Sequence, residues 1–320
     1  MALLNMVQAI NLALREEMER DDSVVVLGED IGKDGGVFRI TEGLLDKFGT
    51  ERVMDTPLAE SGIVGAAIGM AVYGLKPVAE IQFMGFIYPA IDQIFSHAAR
   101  IRCRSRGRFT CPMVIRTPYG AGIKAPELHS ESTEALFCHM PGIKVVVPST
   151  PYNAKGLLIS SIRDPDPVIF LESTRLYRLI KEDVPEGDYA VELGKARIVR
   201  EGGDITVVAW GSMLHRAVQA AEGFDAEVID LMTLNPFDEE AIYKSVKKTG
   251  RVVIVHEAPK TCGFGAELSA SIAEDAILHL KAPVIRVAGY DAVMPLSKLE
   301  DYYVPNAERI QKALNEVMKY

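Results

Sequence analysis

Residues 56–74 read TPLAESGIVGAAIGMAVYG, and the organisation of the first half of the chain follows from this stretch. An acidic residue, Glu60, stands before a run of small and apolar residues with the length and spacing of a helix. Thr56 is predicted to cap this helix and Pro57 to be its first residue, because both are common at helix starts. Glu60 then lies one position beyond the acid of a capping box, so capping does not explain it.

Three glycines in the same helix, Gly62, Gly65 and Gly69, each cost up to about 1 kcal/mol relative to alanine. Small residues at this spacing flatten one helix face and let another backbone approach closely. The pattern therefore predicts close packing, either in a tight core or at a subunit interface.

Short β-branched runs alternate with helical segments on both sides of this stretch, which is typical of a parallel sheet covered by helices. The pattern weakens between about residues 176 and 203 and then restarts. We therefore predict an α/β fold of two domains, residues 1–185 and residues 186–320. In the first domain the predicted helices are 6–20, 60–73, 89–104 and 152–163, and the predicted strands are 24–27, 52–54, 77–83, 113–117, 144–147 and 168–172. In the second domain the predicted helices are 214–222, 238–248 and 266–280, and the predicted strands are 205–210, 227–231, 252–256 and 284–288.

The composition excludes several classes of partner. The 320 residues include 35 Lys and Arg against 44 Asp and Glu, a net charge of -9, which disfavours binding to nucleic acid. No run approaches the roughly 18 to 20 uncharged apolar residues of a membrane span, and the first residues lack the features of a targeting peptide. Four cysteines form no C-x-x-C pair and no spacing typical of zinc sites. We expect a cytoplasmic protein with reduced thiols.

Common nucleotide-binding motifs are absent. No G-x-G-x-x-G turn and no G-x-x-x-x-G-K-[ST] loop follows a predicted strand. A self-contained site for NAD or ATP is therefore not expected, and a nucleotide-binding module similar to electron-transfer flavoproteins is disfavoured.

Several segments together resemble one family. They are TPLAE at 56–60, EIQF at 80–83, AIDQ at 90–93, PELHS at 126–130, PGIKVV at 141–146, KGLL at 155–158 and HEAP at 256–259. Over nearly the whole chain the sequence resembles the beta subunit of the E1 component of 2-oxo acid dehydrogenase complexes. These enzymes are decarboxylases that depend on thiamine diphosphate.

The resemblance implies half of an active site. It predicts a transketolase-like pyrimidine-binding domain followed by a transketolase C-terminal-like domain, with the diphosphate and Mg²⁺ held by a separate alpha subunit. The G-D-G segment that anchors the metal in such enzymes is absent here, which disfavours a homodimeric enzyme of the transketolase type. An alpha-two beta-two heterotetramer is expected, passing its acyl group to the lipoyl domain of an E2 acyltransferase core.

The resemblance also assigns roles to individual residues. Glu60 matches the glutamate that hydrogen-bonds the aminopyrimidine ring, and its apolar surroundings would favour sharing a proton with that ring. Phe86 matches the aromatic residue packed against the pyrimidine, and Gln82 matches a neighbour. His129 matches the histidine at the substrate, a proton donor or orienting group. Glu29 matches an acid in the passage between the two active sites of relatives, although a simple turn acid fits it equally well.

Two further segments have possible roles in binding. One segment matches a region where related beta subunits bind structural potassium, largely through backbone carbonyls. Its predicted ligands are Met113, Ser161, Ile162, Asp164 and Asp166. The basic run Arg100–Arg108 is interpreted as a solvated helix end or as a surface that meets acidic groups on a partner.

The expected reaction is oxidative decarboxylation of a 2-oxo acid with reductive acylation of the lipoyl group. The HEAP turn and residues 289–291 are more similar to branched-chain enzymes, whereas EIQF and PELHS are shared with bacterial pyruvate enzymes. The sequence analysis therefore favours a branched-chain acid such as 2-oxoisovalerate, with pyruvate as the alternative. A non-catalytic assembly subunit is the alternative from another class, but it would need neither Glu60 nor His129.

Overall fold

The computed structural model describes all 320 residues. The first half contains β1 (Ala2–Asn5), α1 (Met6–Arg20), β2 (Val24–Gly28), α2 (Leu44–Phe48), β3 (Val53–Asp55), α3 (Glu60–Tyr73), β4 (Lys76–Glu80), α4 (Ile101–Arg104), β5 (Val114–Tyr119), α5 (Glu134–Cys138), β6 (Lys144–Val146), α6 (Pro151–Arg163), β7 (Val168–Ser173) and β8 (Lys181–Val184). The second half contains β9 (Arg197–Arg200), β10 (Ile205–Ala209), α7 (Ser212–Ala220), β11 (Ala226–Asp230), β12 (Thr233–Asn235), α8 (Glu239–Thr249), β13 (Val252–Pro259), α9 (Phe264–Ala276), β14 (Ile285–Gly289), α10 (Glu300–Tyr303) and α11 (Ala307–Val317).

Seven strands form the larger sheet, in the order β12-β6-β7-β5-β4-β2-β3. All pairs are parallel except β12 with β6. Every residue of β2, β5 and β7 is buried, as expected for parallel strands covered on both faces. The carboxyl ends of β2, β4 and β5 therefore meet at one edge, where ligands bind in open α/β sheets.

Five strands form the smaller sheet, in the order β14-β13-β10-β11-β9, with only β9 antiparallel. The two halves share an apolar core, because Ile63 and Val64 of α3 belong to the same buried cluster as Val208 and Trp210 of the second half. In addition, β12 of the second half extends the larger sheet. The predicted boundary between residues 185 and 186 stays a prediction.

The α/β prediction and most elements are confirmed, and α1 and α3 cover the residues 6–20 and 60–73 that the apolar pattern predicts. The continuous helix predicted over residues 89–104 is wrong. The structure has a 3-10 helix over Met84–Ala90 with Pro89 inside it, then short π and 3-10 turns, and only then α4. Proline is tolerated in the first turn of a helix, so Pro89 does not account for the break. The regular pattern is lost at the π segment Gln93–His97, where the Ala98 N–H donates to the carbonyl of Gln93, five residues earlier.

The prediction that Thr56 caps α3 and that Pro57 is its first residue is wrong. Ala59, with φ -160°, is the residue before the helix and makes no side-chain cap, so Glu60 is the first helical residue. The glycine face is only partly explained within the chain. A Cβ at Gly62 would meet only Ala59, at 3.6 Å, and one at Gly69 would meet nothing within 4 Å. The tight-core interpretation is therefore wrong for these two glycines, and a subunit interface stays a prediction.

No helix combines the length and the apolar character that crossing a bilayer would require.

Candidate active site

Acidic side chains meet at the edge where β2 and α3 approach. Glu29 directly follows β2 and is buried, while Glu60 begins α3 and is partly exposed. Burial raises the pKa of Glu29, and the negative charges of Glu60 and Asp30 raise it further. The structure thus brings Glu60 close enough for its charge to raise the pKa of Glu29.

Gln82, two residues beyond β4, connects the end of β4 to the acidic residues that follow β2. Its Nε2 atom donates a hydrogen bond to Oδ2 of Asp30 over 3.2 Å. This bond fixes the end of β4 against the turn after β2. The Glu60 carboxylate makes no hydrogen bond or ion pair with another side chain, so its oxygens are free to accept from a ligand.

Aromatic rings surround His129. The imidazole centroid lies 4.4 Å from that of Phe83 and 5.1 Å from that of Phe86, and the two phenyl centroids are 5.5 Å apart. The Nδ1 atom of His129 is buried and has no hydrogen-bond partner. A buried polar atom without a partner is unusual, and here it fits a site that is completed by a ligand.

A close backbone contact holds the His129 turn against the residues after β4. His129 ends a 3-10 turn over Glu127–His129. A Cβ placed on Gly85 would lie 2.5 Å from the carbonyl oxygen of Leu128. Only glycine therefore allows Phe86 and His129 to approach as they do.

A buried ionic network lies beneath the site. Arg116 of β5 is fully buried and donates from Nε and Nη2 to the two carboxylate oxygens of Glu172, each over 2.7 Å. Its Nη1 atom donates to Glu80, the last residue of β4. The hydroxyl of Tyr177 donates to Glu172 over 2.6 Å. Burial raises the pKa of Glu80, an effect that the charge of Arg116 opposes and that of Glu172 reinforces.

The network is connected to His129 through aromatic rings. Phe38 lies between Tyr177 and Phe83, with centroid distances of 4.8 and 5.6 Å. Packing at the strand ends therefore couples the ionic network to the rings that hold the histidine.

The two segments of the predicted potassium site are adjacent. Cys111 donates its backbone N–H to the Pro165 carbonyl over 3.1 Å, and the Met113 carbonyl accepts from Val168 over 3.0 Å. The two carboxylates already have cationic partners, since Asp164 lies 2.8 Å from Lys144 and Asp166 lies 2.6 Å from Arg102. No cluster of three or more His, Cys, Asp or Glu side chains suitable for a metal occurs in the chain. Potassium binding, through Ser161, Ile162 and the other predicted ligands, stays a prediction.

The basic run is mostly exposed, and only Arg102 forms a salt bridge within the chain. Whether it meets a partner stays a prediction. The HEAP segment, predicted as a turn, instead forms the end of strand β13. Its histidine is fully buried, stacked 5.4 Å from Trp210, and burial lowers its pKa to about 4. His256 is thus packed within the second half of the chain.

Sequence reasoning did not single out Phe83, Asp30, Phe38 or the ionic network. One signal was available, because Arg116 interrupts the apolar run of β5 and a buried arginine needs carboxylate partners. Phe83 belongs to the EIQF segment, but its contact with His129 joins residues 46 positions apart in the sequence and is visible only in the folded chain.

Two family models together match most of the chain. Residues 3–180 match the pyrimidine binding domain of transketolase, and residues 194–310 match the transketolase C-terminal domain. A solved structure described as a split gene transketolase, an inactive beta4 tetramer, is similar with a TM-score of 0.81 at 24% identity, covering 99% of each chain. At this identity the likeness shows the fold alone.

Similar proteins span the full length. The pyruvate dehydrogenase E1 component subunit beta of Acholeplasma laidlawii is 52% identical, covering 100% of this chain and 99% of the relative. Its counterpart in Bacillus subtilis (strain 168) is 50% identical, and so is the 2-oxoisovalerate dehydrogenase subunit beta of the same organism, with complete coverage of both chains in each case. Full-length identity at this level confirms the resemblance seen in the sequence. The chain belongs to the family of E1 beta subunits of 2-oxo acid dehydrogenases, which combine a transketolase-type pyrimidine-binding domain with a transketolase-type C-terminal domain.

Proposed function

We propose that this chain supplies the pyrimidine-binding half of a thiamine-diphosphate site for decarboxylation of a 2-oxo acid. The observation that carries the proposal is the buried, unpartnered Nδ1 atom of His129, which lies against Phe83 and Phe86. When bound, thiamine diphosphate supplies the carbanion chemistry by which a 2-oxo acid loses carbon dioxide.

The residues fit that cofactor in three respects. Glu60 offers unpartnered oxygens at the first turn of α3, suited to a heterocycle N–H. Phe86 offers a ring against which a pyrimidine can pack. Glu29 has a raised pKa beside Glu60, because burial and the Glu60 charge disfavour its ionised form.

In the proposed mechanism each residue has a separate task. Glu60 orients the pyrimidine ring and shares a proton with one of its nitrogens. Phe83 and Phe86 keep water from the reacting centre and fix the plane of the imidazole. The unpartnered Nδ1 of His129 donates or accepts a proton at the substrate oxygen. Gln82 holds the end of β4 in place through Asp30.

The diphosphate, its Mg²⁺ and part of the substrate pocket are proposed to belong to an alpha subunit. The names of the relatives as beta subunits support a partner of this kind. We further propose an alpha-two beta-two assembly, transfer of the acyl group to the lipoyl domain of an E2 core, and a structural K⁺ at the segment around Asp164.

Pyruvate is the substrate that we propose first. The EIQF and PELHS segments, shared with bacterial pyruvate enzymes, supply Phe83 and His129 of the site. The HEAP turn, which favoured a branched-chain acid, places His256 inside the second half of the chain. A branched-chain acid such as 2-oxoisovalerate remains the second candidate, because a relative with that name is 50% identical over the full chain.

The test measures carbon dioxide release from pyruvate and from 2-oxoisovalerate, with thiamine diphosphate and Mg²⁺, by this chain with and without its alpha partner. We expect activity only in the mixture. The rate of decarboxylation should fall further in Glu60→Ala than in Glu60→Gln, because glutamine keeps one acceptor oxygen. Exposed Glu274 provides a matched control in Glu274→Ala.

Turnover by the chain alone would contradict the shared site. Full activity of folded Glu60→Ala would contradict the cofactor assignment. A mixture that binds its partner but decarboxylates neither acid would favour the assembly-subunit alternative.

A further inference from the structure

The loop that leads to His129 is closed at its base within the first half of the chain. It runs from Gly120, just after β5, to Glu131. The backbone N–H of Gly120 donates to the Glu131 carbonyl over 2.8 Å. The Thr174 hydroxyl lies 3.0 Å from the carbonyl oxygens of Gly120 and Ala121. Residues 120–131 thus form one loop with His129 near its end.

A buried carboxylate of the second half holds the first residues of this loop. Glu257 of β13 is 3% exposed and accepts a hydrogen bond from the backbone N–H of Ala121. It also accepts from the Ser212 hydroxyl over 2.8 Å. A Cβ on Gly120, which has φ +77°, would lie 3.0 Å from both carboxylate oxygens. The close approach of Glu257 therefore depends on glycine at this position.

A second carboxylate holds the middle of the loop. Glu300, at the start of α10, is 1% exposed and accepts from the backbone N–H of Lys124 over 3.0 Å. Its other oxygen lies 3.4 Å from Nη2 of Arg175. Lys124 has φ +54°, a left-handed conformation that a side chain rarely adopts without such support. Both carboxylates come from the C-terminal half, and both bind loop N–H groups.

We propose that Glu257 and Glu300 are positioning residues, through which the C-terminal domain fixes the loop that places His129. This inference rests on the proposed function, because it assumes that the position of His129 determines the rate of decarboxylation. Glu257, the second residue of the HEAP segment, thereby affects the reaction through the loop and not through contact with the substrate. This positioning role also explains why buried carboxylates point across the domain contact, since backbone N–H groups satisfy them.

The experiment compares Glu257→Ala, Glu257→Gln and Glu300→Gln with Glu274→Ala, an exposed acid of α9. The first readout is hydrogen exchange of residues 120–131, measured by mass spectrometry on the whole chain and on its complex with the alpha partner. We expect the fastest exchange in this loop for Glu257→Ala. Glu257→Gln and Glu300→Gln, which each keep one acceptor oxygen, should lie between Glu257→Ala and the unaltered chain, and Glu274→Ala should not change.

The second readout is steady-state decarboxylation by the reconstituted complex. A displacement of about 1 Å can cost about 100-fold in rate. We expect kcat to fall by about 10- to 100-fold in Glu257→Ala. The KM for thiamine diphosphate should stay within about twofold, because Glu60 and Phe86 are outside the loop. Glu257→Gln should recover part of kcat.

The outcomes separate the two proposals. Faster loop exchange with unchanged kcat would overturn the positioning role. Unchanged exchange in folded Glu257→Gln and Glu300→Gln would also overturn it, and these conservative variants guard against misfolding of Glu257→Ala. An unaltered complex without decarboxylase activity would instead overturn the proposed function.

Discussion

Replacing Arg116 by methionine tests whether the buried ionic network determines stability. Arg116 is fully buried and donates to two carboxylates that are themselves buried, Glu172 and Glu80. Methionine matches the aliphatic stem of arginine and carries no charge, so the substitution removes the guanidinium cation together with the volume that it fills. The two carboxylates then face each other without a cation between them.

The expected cost follows from the partners that are lost. Glu172 would keep only the Tyr177 hydroxyl, and Glu80 would keep no side-chain donor. Removing one member of a buried ion pair typically costs about 3 to 5 kcal/mol. We expect a loss in that range for Arg116→Met near pH 8. Glu80→Gln should cost less, about 1 kcal/mol, because Arg116 keeps its bidentate pair with Glu172.

The loss of stability in Arg116→Met should depend on pH. Burial already raises the pKa of Glu80, and removal of the Arg116 charge would raise it further. A native carboxyl with a raised pKa binds a proton that the unfolded chain releases, so folding becomes less favourable as pH rises through that range. The difference in stability between Arg116→Met and the unaltered chain should therefore shrink between pH 8 and pH 5.

The assay is urea unfolding followed by far-ultraviolet circular dichroism at several pH values. A matched control is Arg108→Met, which removes an exposed arginine without a salt bridge and should change stability by less than about 0.5 kcal/mol. Equal stability of Arg116→Met and the unaltered chain at pH 8 would refute the reasoning. A large loss that is the same at pH 5 and pH 8 would show that packing, and not charge, is responsible.

Three further substitutions test other parts of the structure. Gly85→Ala should displace the turn at Leu128 and lower decarboxylation by at least about tenfold, measured in the reconstituted complex, because the new Cβ would lie 2.5 Å from a carbonyl oxygen. Full activity would contradict this contact. Burial raises the pKa of Glu134 to about 7 from 4.5, so its contribution to stability declines as pH rises from about 4.5 to 7. Glu134→Gln should remove that decline, so its stability relative to the unaltered chain should rise between pH 5 and pH 8 in urea unfolding, whereas an unchanged pH profile would contradict the assignment. Thr150→Ala should cost about 1 kcal/mol, because the hydroxyl caps α6, and a thermal melt equal to that of the unaltered chain would argue against the cap.

Part of the fold could be predicted because it depends on local sequence. The apolar spacing of α1 and α3 predicted residues 6–20 and 60–73, and the run VVVL at residues 24–27 identified most of the buried strand β2. Motifs likewise identified Glu60 and His129 as candidate site residues. These features depend on neighbours a few positions away, which a single sequence displays.

Other features depend on partners that are distant in the chain. Strand β12 has three residues and exists through its pairing with β6, almost 90 positions earlier. The first turn of α3 begins at Glu60 and not at Pro57, because the preceding residues extend along β2, where Thr56 donates to the Gly28 carbonyl over 3.0 Å. Propensity favoured the earlier start, and tertiary pairing overrode it.

The sequence by itself determined the α/β class, the family and the residue types available for chemistry, because motifs and apolar periodicity are properties of short segments. Only the tertiary structure decided how those residues meet. It placed Phe83 against His129, set Arg116 between two carboxylates, and brought Glu257 to the backbone of Ala121 across the contact between the two halves. The physical reason is that burial and hydrogen-bond pairing depend on contacts between residues that are distant in the sequence. The identity of a residue allows such contacts but does not determine which of them form.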